Sequence, residues 1–493
     1  VDTAINHPSQ RSGAAGAVEE GMPVACAAVL VAAPASGQGK TTVAAALARL
    51  HARQGRRVRA FKCGPDFLDP HWLALATGAP VHSLDLWMTG EADCRARLRA
   101  AAAECDLLIV EGVMGLFDGT PSAADLAGRF GLPVLAVIDA GAMAGTFGAL
   151  AFGLQNFRPG LPWAGVLANR VASERHAGML KDALREPSQW LGALPRDPAF
   201  SLPERHLGLV LAAELGDAMA RLDAAADVLA ATPLGQMPVA RLPQVRFLEA
   251  DADAETSAPE SVAPVPPLLA GRTIAIARDA AFSFIYPANL DVLSALGARL
   301  SFFSPLAGDA LPACDAVWLP GGYPELHAQA LAACTPLRDA LADHAAAGKP
   351  IWAECGGMMA LFDELATHAD PARPPDVHRL WSLLPGRVTM QKRLAGLGPQ
   401  QLTLGSHTLR GHTFHYSSCE TPLLPAAHTA RPGVTQAVGA RGGEAFYVHG
   451  PVRASYFHAW FASSPEATAR LFGAMPIELE SDAPKEDSDA PGC

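Results

Sequence analysis

The stretch IWAECGGMMALF, Ile351 to Phe362, sets a single cysteine between a short apolar run and two glycines. A strand, a sharp turn bearing a nucleophile and a helix would form an elbow there, with Gly356 and Gly357 permitting close backbone approach. A helix N-terminus behind Cys355 would lower its thiol pKa and favour the reactive thiolate. The plainer alternative is a buried structural thiol, since free cysteine is among the most buried residue types. A nucleophile also needs a base. His458, in ASYFHAWF (Ala454 to Phe461), follows an apolar strand-like run, but it is one of 16 histidines and a histidine beside aromatics is more often core.

A second constellation begins at APASGQGKTTVA, Ala33 to Ala44, placed between an apolar strand and a helical segment as a phosphate-binding loop requires. Gly37 and Gly39 let backbone N–H groups close around phosphate oxygens, Lys40 brings charge to the terminal phosphates, and the Thr41 hydroxyl suits Mg²⁺. Pro34 stands where the usual G-x-x-x-x-G-K-[ST] pattern has its first glycine. Acidic residues follow at strand ends: Asp66 and Asp69 in FKCGPDFLDPHW, Glu111 and Asp118 in LLIVEGVMGLFDG. Carboxylates at the C-terminal edge of a parallel sheet, beside the phosphate loop, are where Mg²⁺ and substrate lie in a doubly wound fold. Taken singly, each could equally cap a turn or a helix.

Positioning these groups takes two α/β units. Apolar runs at Ala27 to Val31, Val58 to Phe61, Leu107 to Val110, Val134 to Ile138 and Gly165 to Leu167 alternate with helical segments, the pattern of a parallel sheet covered on both faces. The composition changes at residues 251–271, rich in Pro, Ala and acids, which reads as a linker. A second alternation starts with Thr273 to Ala277, Val317 to Pro320 and Pro350 to Glu354. The expected organisation is a flexible extension over 1–23, a first domain over 24–250, the linker, a second domain over 272–465 and a disordered acidic tail over 477–493. No internal repeat relates the halves.

Composition narrows the functional classes. At 493 residues the chain exceeds a single ordinary core, and 50% hydrophobic with 18% charged residues suits a packed protein. A net charge of -11 argues against nucleic acid, which needs a basic face. Nine cysteines without C-x-x-C spacing suggest neither zinc nor a disulfide framework, and a reducing cytoplasm fits best. The apolar run from Val24 to Ala35 is shorter than the ~18 residues of a membrane span and is expected to be a buried first strand of a soluble protein.

AECGGMM with the downstream FHAWF and LPGGYPE (Leu319 to Glu325) resembles the class I glutamine amidotransferase domain in its cobyrinate-synthase variety. FKCGPDFLDP, EGVMGLFDG and RGHTFHYS (Arg410 to Ser417), with the phosphate loop, are similar to the family of a,c-diamide synthases acting on cobyrinic or hydrogenobyrinic acid, over nearly all of Ala28 to Phe461. The resemblance implies a dethiobiotin-synthetase-like P-loop domain, with its doubly wound parallel sheet, followed by an amidotransferase α/β domain. It implies ATP- and glutamine-dependent amidation of two corrin acetates in cobalamin biosynthesis, through an acyl phosphate and ammonia released from glutamine. ATP and Mg²⁺ are the implied cofactors, and corrin, L-glutamine and ATP the small-molecule partners; no nucleic acid or membrane is implied, and a homodimer is the assembly to test.

Carried over by resemblance, Cys355 is the thiolate that attacks glutamine and His458 its base, with the backbone of Gly321, Gly322 and the N–H after Cys355 as oxyanion hole. Gly37, Gly39, Lys40, Thr41 and Thr42 resemble the nucleotide loop, with Thr41 and Glu111 as magnesium contacts. Asp66 and Asp118 fall where the family handles metal or corrin, and Asn169 where related ATPases recognise adenine. Some positions depart from pattern. Ala353 replaces the first glycine of the G-x-C-x-G elbow, Trp460 stands where a triad Glu is usual, and Phe67 and Phe117 replace tyrosines of some relatives. A Cys-His dyad is therefore expected, with the group orienting His458 unassigned. Two other readings stand beside this one: the same chemistry on another tetrapyrrole, such as a nickel sirohydrochlorin, or a partitioning-type ATPase switch, which would carry an additional lysine near the loop start that Pro34, Ala35 and Ser36 do not supply.

Overall fold

The computed structural model describes residues 23–205, 208–209, 215–248, 266–367, 375–432 and 443–476. Residues 1–22 of the expected extension, most of the expected linker (up to residue 265) and the tail over 477–493 lie outside the described residues.

The first unit is built on Val24–Ala32 (β1), Val58–Cys63 (β2), His82–Leu84 (β3), Leu107–Glu111 (β4), Val134–Asp139 (β5), Trp163–Val171 (β6), Trp190–Pro195 (β7) and Gln244–Phe247 (β8). The order is β3-β2-β4-β1-β5-β6-β7, all parallel, with β8 antiparallel along the start of β1. Successive β1 side chains point to opposite faces. Ala28, Leu30 and Ala32 enter one core with Leu98, Leu126 and Phe147. Ala27, Val29 and Val31 enter another with Leu47, Trp72 and Leu222. Both faces are thus covered, which is why the strand reads as unbroken apolar sequence. The order reverses at β1, the topological switch point where a doubly wound sheet opens a crevice at its strand C-termini.

The second unit centres on Thr273–Ala277 (β9), Arg299–Phe303 (β10), Ala316–Leu319 (β11) and Ile351–Glu354 (β12). Its remaining labelled strands are Gly396–Leu404 (β13), His407–His415 (β14), Ala427–His428 (β15), Ala445–His449 (β16), Val452–Ser455 (β17) and His458–Trp460 (β18). The main sheet runs β10-β9-β11-β12-β17-β16-β15, parallel as far as β17. β13, β14 and β18 form a separate antiparallel sheet, and Phe362–Ala366, Val377–Arg379, Leu384–Met390 and Ser417–Glu420 a further small one. Among the described residues no helix is long and apolar enough to cross a membrane.

Candidate active sites

At the C-terminal end of β1 the chain turns through Gly37 (φ 75) and Gly39 (φ 94) into the helix Lys40–Arg53 (α1). Both glycines occupy the left-handed region that L side chains avoid. A Cβ at Gly39 would also lie 2.2 Å from Asn169 Nδ2, so the loop packs directly on β6. Asn169 Nδ2 donates to the Gln38 carbonyl at 2.9 Å, holding the loop backbone. Lys40 is buried and donates to the carbonyls of Ala35 at 3.2 Å and Met114 at 2.7 Å. Burial first, then the charge of Lys62, lowers its pKa. Thr41 Oγ1 donates to Glu111 Oε1 at 2.6 Å, and Thr42 lies half-buried in the first turn of α1.

Glu111 ends β4 directly opposite Lys62 on β2, and this register creates a buried charge cluster. Lys62, only 1% exposed, lies 2.6 Å from Asp69, 3.2 Å from Glu111 and 3.7 Å from Asp66. Burial opposes its charge, but Asp69, Glu111 and Asp66 outweigh that and hold it protonated well above the usual lysine range. Burial pushes Glu111 up to about 8 and Asp66 up to about 7, whereas Lys62 overcomes the burial of Asp69 and holds that carboxyl low. Asp66 Oδ1 also accepts from the Leu68 and Asp69 amides, fixing the loop after β2. Asp118 caps the Gly115 amide at 2.8 Å and bears electrostatically on Lys40. The sequence marked three of these cluster members but not Lys62; its only signal was a second cation, after the half-buried Arg59, inside the otherwise apolar and buried strand VRAFKC.

Among the described residues Glu111 Oε2 is buried without a hydrogen-bond partner, beside the Thr41 hydroxyl. Two oxygen ligands of this kind fit a hard cation whose shell is completed by phosphate oxygens and water. Among the described residues no three His, Cys, Asp or Glu side chains group as a self-sufficient metal site. Asp66, expected as a further ligand, faces Lys62.

In the second unit the backbone leaves β12 through Cys355 at φ 43 and ψ -105 and enters the helix Gly356–Leu361. A non-glycine residue held at positive φ is strained, and such strain clusters at functional sites. The Cys355 amide donates to the Ser455 carbonyl at 2.8 Å, continuing the β12–β17 pairing past the turn. A Cβ at Gly356 would fall 2.8 Å from the Gly322 nitrogen, so the Gly321–Gly322 loop after β11 abuts the elbow. A Cβ at Gly321 would fall 2.4 Å from His458 Cε1. These two close approaches gather Cys355, the loop amides and the imidazole at one place. β17 runs beside the nucleophile strand, and three residues beyond its end the chain reaches His458 on β18, opposite His412 of β14.

The thiol is 4% exposed, and among the described residues it makes no hydrogen bond to His458. The expected lowering of its pKa is not found. Burial, then the charge of Glu325, raises the thiol, and a six-residue helix does not offset them. Burial, then the charges of His412 and His415, holds His458 well below the usual histidine range, so the resting ring is neutral. Ala353 is a buried β12 residue and carries no turn, which removes the need for glycine there. Trp460, in the position of the usual triad acid, packs its ring 5.1 Å from Tyr286.

Residues 29–210 match the family described as CobQ/CobB/MinD/ParA nucleotide binding domain, and residues 273–466 the CobB/CobQ-like glutamine amidotransferase domain. The chain is 56% identical over 446 residues to a hydrogenobyrinate a,c-diamide synthase of Stutzerimonas stutzeri, covering 90% of this chain and 98% of that protein. It is 55% identical over 446 residues to the protein of the same name from Pseudomonas aeruginosa, at 90% and 97% coverage. A cobyrinate a,c-diamide synthase of Herminiimonas arsenicoxydans is 48% identical over 447 residues, at 90% and 96% coverage. The chain belongs to the hydrogenobyrinate and cobyrinate a,c-diamide synthase family.

In this a,c-diamide synthase family member the two sites touch. Phe67, next in sequence to Asp66, stacks on Phe284 with centroids 4.8 Å apart and planes within 3°. The same ring lies 4.3 Å from Tyr286, 5.6 Å from His412 and 5.1 Å from His458. Arg410 Nη1 donates to the Trp87 carbonyl at 3.0 Å, and Arg97 lies over the Trp460 ring at 5.7 Å. The expected departure at Phe67 is thus an inter-domain contact. Phe117, the other, packs against Phe157 with centroids 4.8 Å apart and planes tilted by 56°, beneath Arg158.

Proposed function

We propose that this chain is an ATP- and glutamine-dependent ligase that amidates the a and c acetate carboxylates of hydrogenobyrinic or cobyrinic acid. The observation that carries this reading is the contact of Phe67 with His458: the loop of the Lys62 carboxylate cluster reaches into the Cys355 site. A partitioning-type switch would leave residues 273–466 without a role. The cobalt-free corrin is favoured as substrate because the relatives at 56% and 55% identity carry the hydrogenobyrinate name, against 48% for the cobyrinate one.

A carboxylate is a poor electrophile until it is phosphorylated. Gly37, Gly39 and the first turn of α1, with Thr42, cradle the nucleotide phosphates, and Lys40 exchanges its two carbonyl partners for phosphate oxygens. Thr41 and Glu111 would hold Mg²⁺, which supplies charge neutralisation during phosphoryl transfer. Lys62, held cationic by its carboxylates, fixes the Asp66–Asp69 loop beside Glu111, and Asp66 and Asp118 shape the corrin side of the crevice. In the second unit neutral His458 takes the proton of Cys355 as the thiol attacks the glutamine carboxamide. The amides of Gly322 and Gly356 stabilise the oxyanion. The tetrahedral intermediate collapses to the Cys355 thioester as ammonia departs with the proton held by His458. Water then hydrolyses the thioester to glutamate and frees the thiol, and the neutral ammonia displaces phosphate from the acyl phosphate.

Incubation with ATP, glutamine and hydrogenobyrinic acid, cobyrinic acid or a nickel tetrapyrrole, followed by mass spectrometry, tests the reading. Two amidations of a corrin are expected. Amidation of the nickel compound alone, or none, would overturn it.

A further inference from the structure

The usual glutamine amidotransferase triad places an acid two residues after its histidine, and this chain has Trp460 there. The imidazole nevertheless faces a carboxylate from elsewhere. Glu354 Oε2 lies 3.9 Å from His458 Nδ1, with both side chains at most 2% exposed. Among the described residues His458 Nδ1 has no hydrogen-bond partner, and the Glu354 carboxylate is the acid that faces it. We propose that Glu354, the residue immediately before the nucleophile, is the positioning residue that fixes the tautomer and orientation of His458.

The strand explains how it arrives there. β12 side chains alternate, so Glu354 shares a face with Trp352, and Trp352 pairs with Trp318 on β11. Burial pushes the Glu354 carboxyl up to about 8; Trp352 Nε1, which donates to Oε1 at 2.7 Å, the Ala459 amide and the Trp318 indole work against that and favour the charged form. An indole N–H can only donate, so Oε1 is committed as acceptor and Oε2 is left toward His458. With Nδ1–H directed at Oε2, the Nε2 lone pair is free to accept the thiol proton, the orienting logic of a catalytic triad. A fully buried carboxylate is costly, and apolar residues serve a core better, so its place beside the histidine calls for a role beyond packing. Cys355, Glu354 and His458 then act together although the acid and the nucleophile are sequence neighbours.

The inference rests on the glutaminase reading of this site, and glutamine hydrolysis by the parent protein is measured first; its absence removes that reading. In Glu354→Gln the Trp352 indole pins the amide oxygen and turns the NH₂ group toward Nδ1, forcing the proton onto Nε2. The expected result is a loss of kcat for glutamine hydrolysis of about a hundredfold or more, by analogy with carboxylate-to-amide changes in triads. The KM for glutamine and the ammonium-dependent amidation rate should stay within about twofold, and Glu354→Asp should recover part of the loss. Glutamine hydrolysis by Glu354→Gln within about threefold of the parent overturns the inference, as does equal loss with both nitrogen sources. If the variant does not fold, ¹⁵N-histidine NMR of the parent decides, with the signal assigned by its absence in His458→Asn. An Nδ1–H tautomer supports the role, and an Nε2–H tautomer overturns it.

Discussion

Burial raises the folded-state pKa of Glu111 from 4.5 to about 8, so the folded chain holds that proton more tightly than the unfolded one across the window between the two values. Its contribution to stability is therefore fully present below about 4.5 and is lost as pH rises through about 8. Glu111→Gln, permanently neutral, should unfold at a higher temperature than the parent near about pH 9 and at nearly the same temperature near about pH 4. Calorimetric scans at the two pH values check this; a gap that does not widen with pH would refute it. The same variant should lose amidation with either nitrogen source, since the carboxylate that would hold Mg²⁺ beside Thr41 is gone. Cys355 calls for the opposite dissection: Cys355→Ala should abolish glutamine-supported amidation and spare the ammonium-supported rate, measured by corrin mass. Loss of both would show that the thiol does more than release nitrogen.

At the scale of elements, the elbow depends on what its glycines leave out. A Cβ on Gly357 would lie 2.0 Å from the Leu319 carbonyl oxygen, a β11 backbone atom that cannot move aside without breaking the sheet. Gly357→Ala should cost about 1–3 kcal/mol, the range for overpacked cores, and slow glutamine hydrolysis far more than ammonium-dependent synthesis. Urea titration and the two assays check it; unchanged stability would mean that the close approach relaxes freely. This elbow was legible in the sequence because a strand, a cysteine and two glycines are contiguous, and β1, β2, β4 and β5 because both their faces are buried. The β13–β14 hairpin was not: GLGPQQLTL mixes Pro, Gly and Gln in a strand buried on one face only in part. β3, three residues long, offers no periodicity. Lys62 and Glu354 escaped for a related reason. Each acts through partners on another strand, Glu111 on β4 and His458 on β18, and register between distant strands leaves no local signature.

For the whole molecule the question is why two chemistries share one chain. Ammonia in bulk water is mostly protonated and lost as a nucleophile, so its release is useful only if the path to the acyl phosphate stays dry. Phe67 lies between the two centres: its ring packs against Phe284, Tyr286, His412 and His458, while its neighbour Asp66 belongs to the Lys62 cluster. Met88, Tyr286, Ala288 and Trp460 form a small buried cluster against which Phe67 and Trp87 pack, a seal made by both units. Movement of the Asp66 loop on binding corrin would therefore displace an aromatic ring from beside the glutaminase base. Phe67→Ala should remove that link and one packing contact of His458 while leaving every reacting group of both centres in the chain. Glutamine hydrolysis should then proceed without ATP or corrin, and the glutamate formed per amide made should rise several-fold above the parent value. Parallel assays of glutamate and amidated corrin measure the ratio, and a ratio equal to the parent's would place the seal, and the coupling of the two centres, at residues other than Phe67.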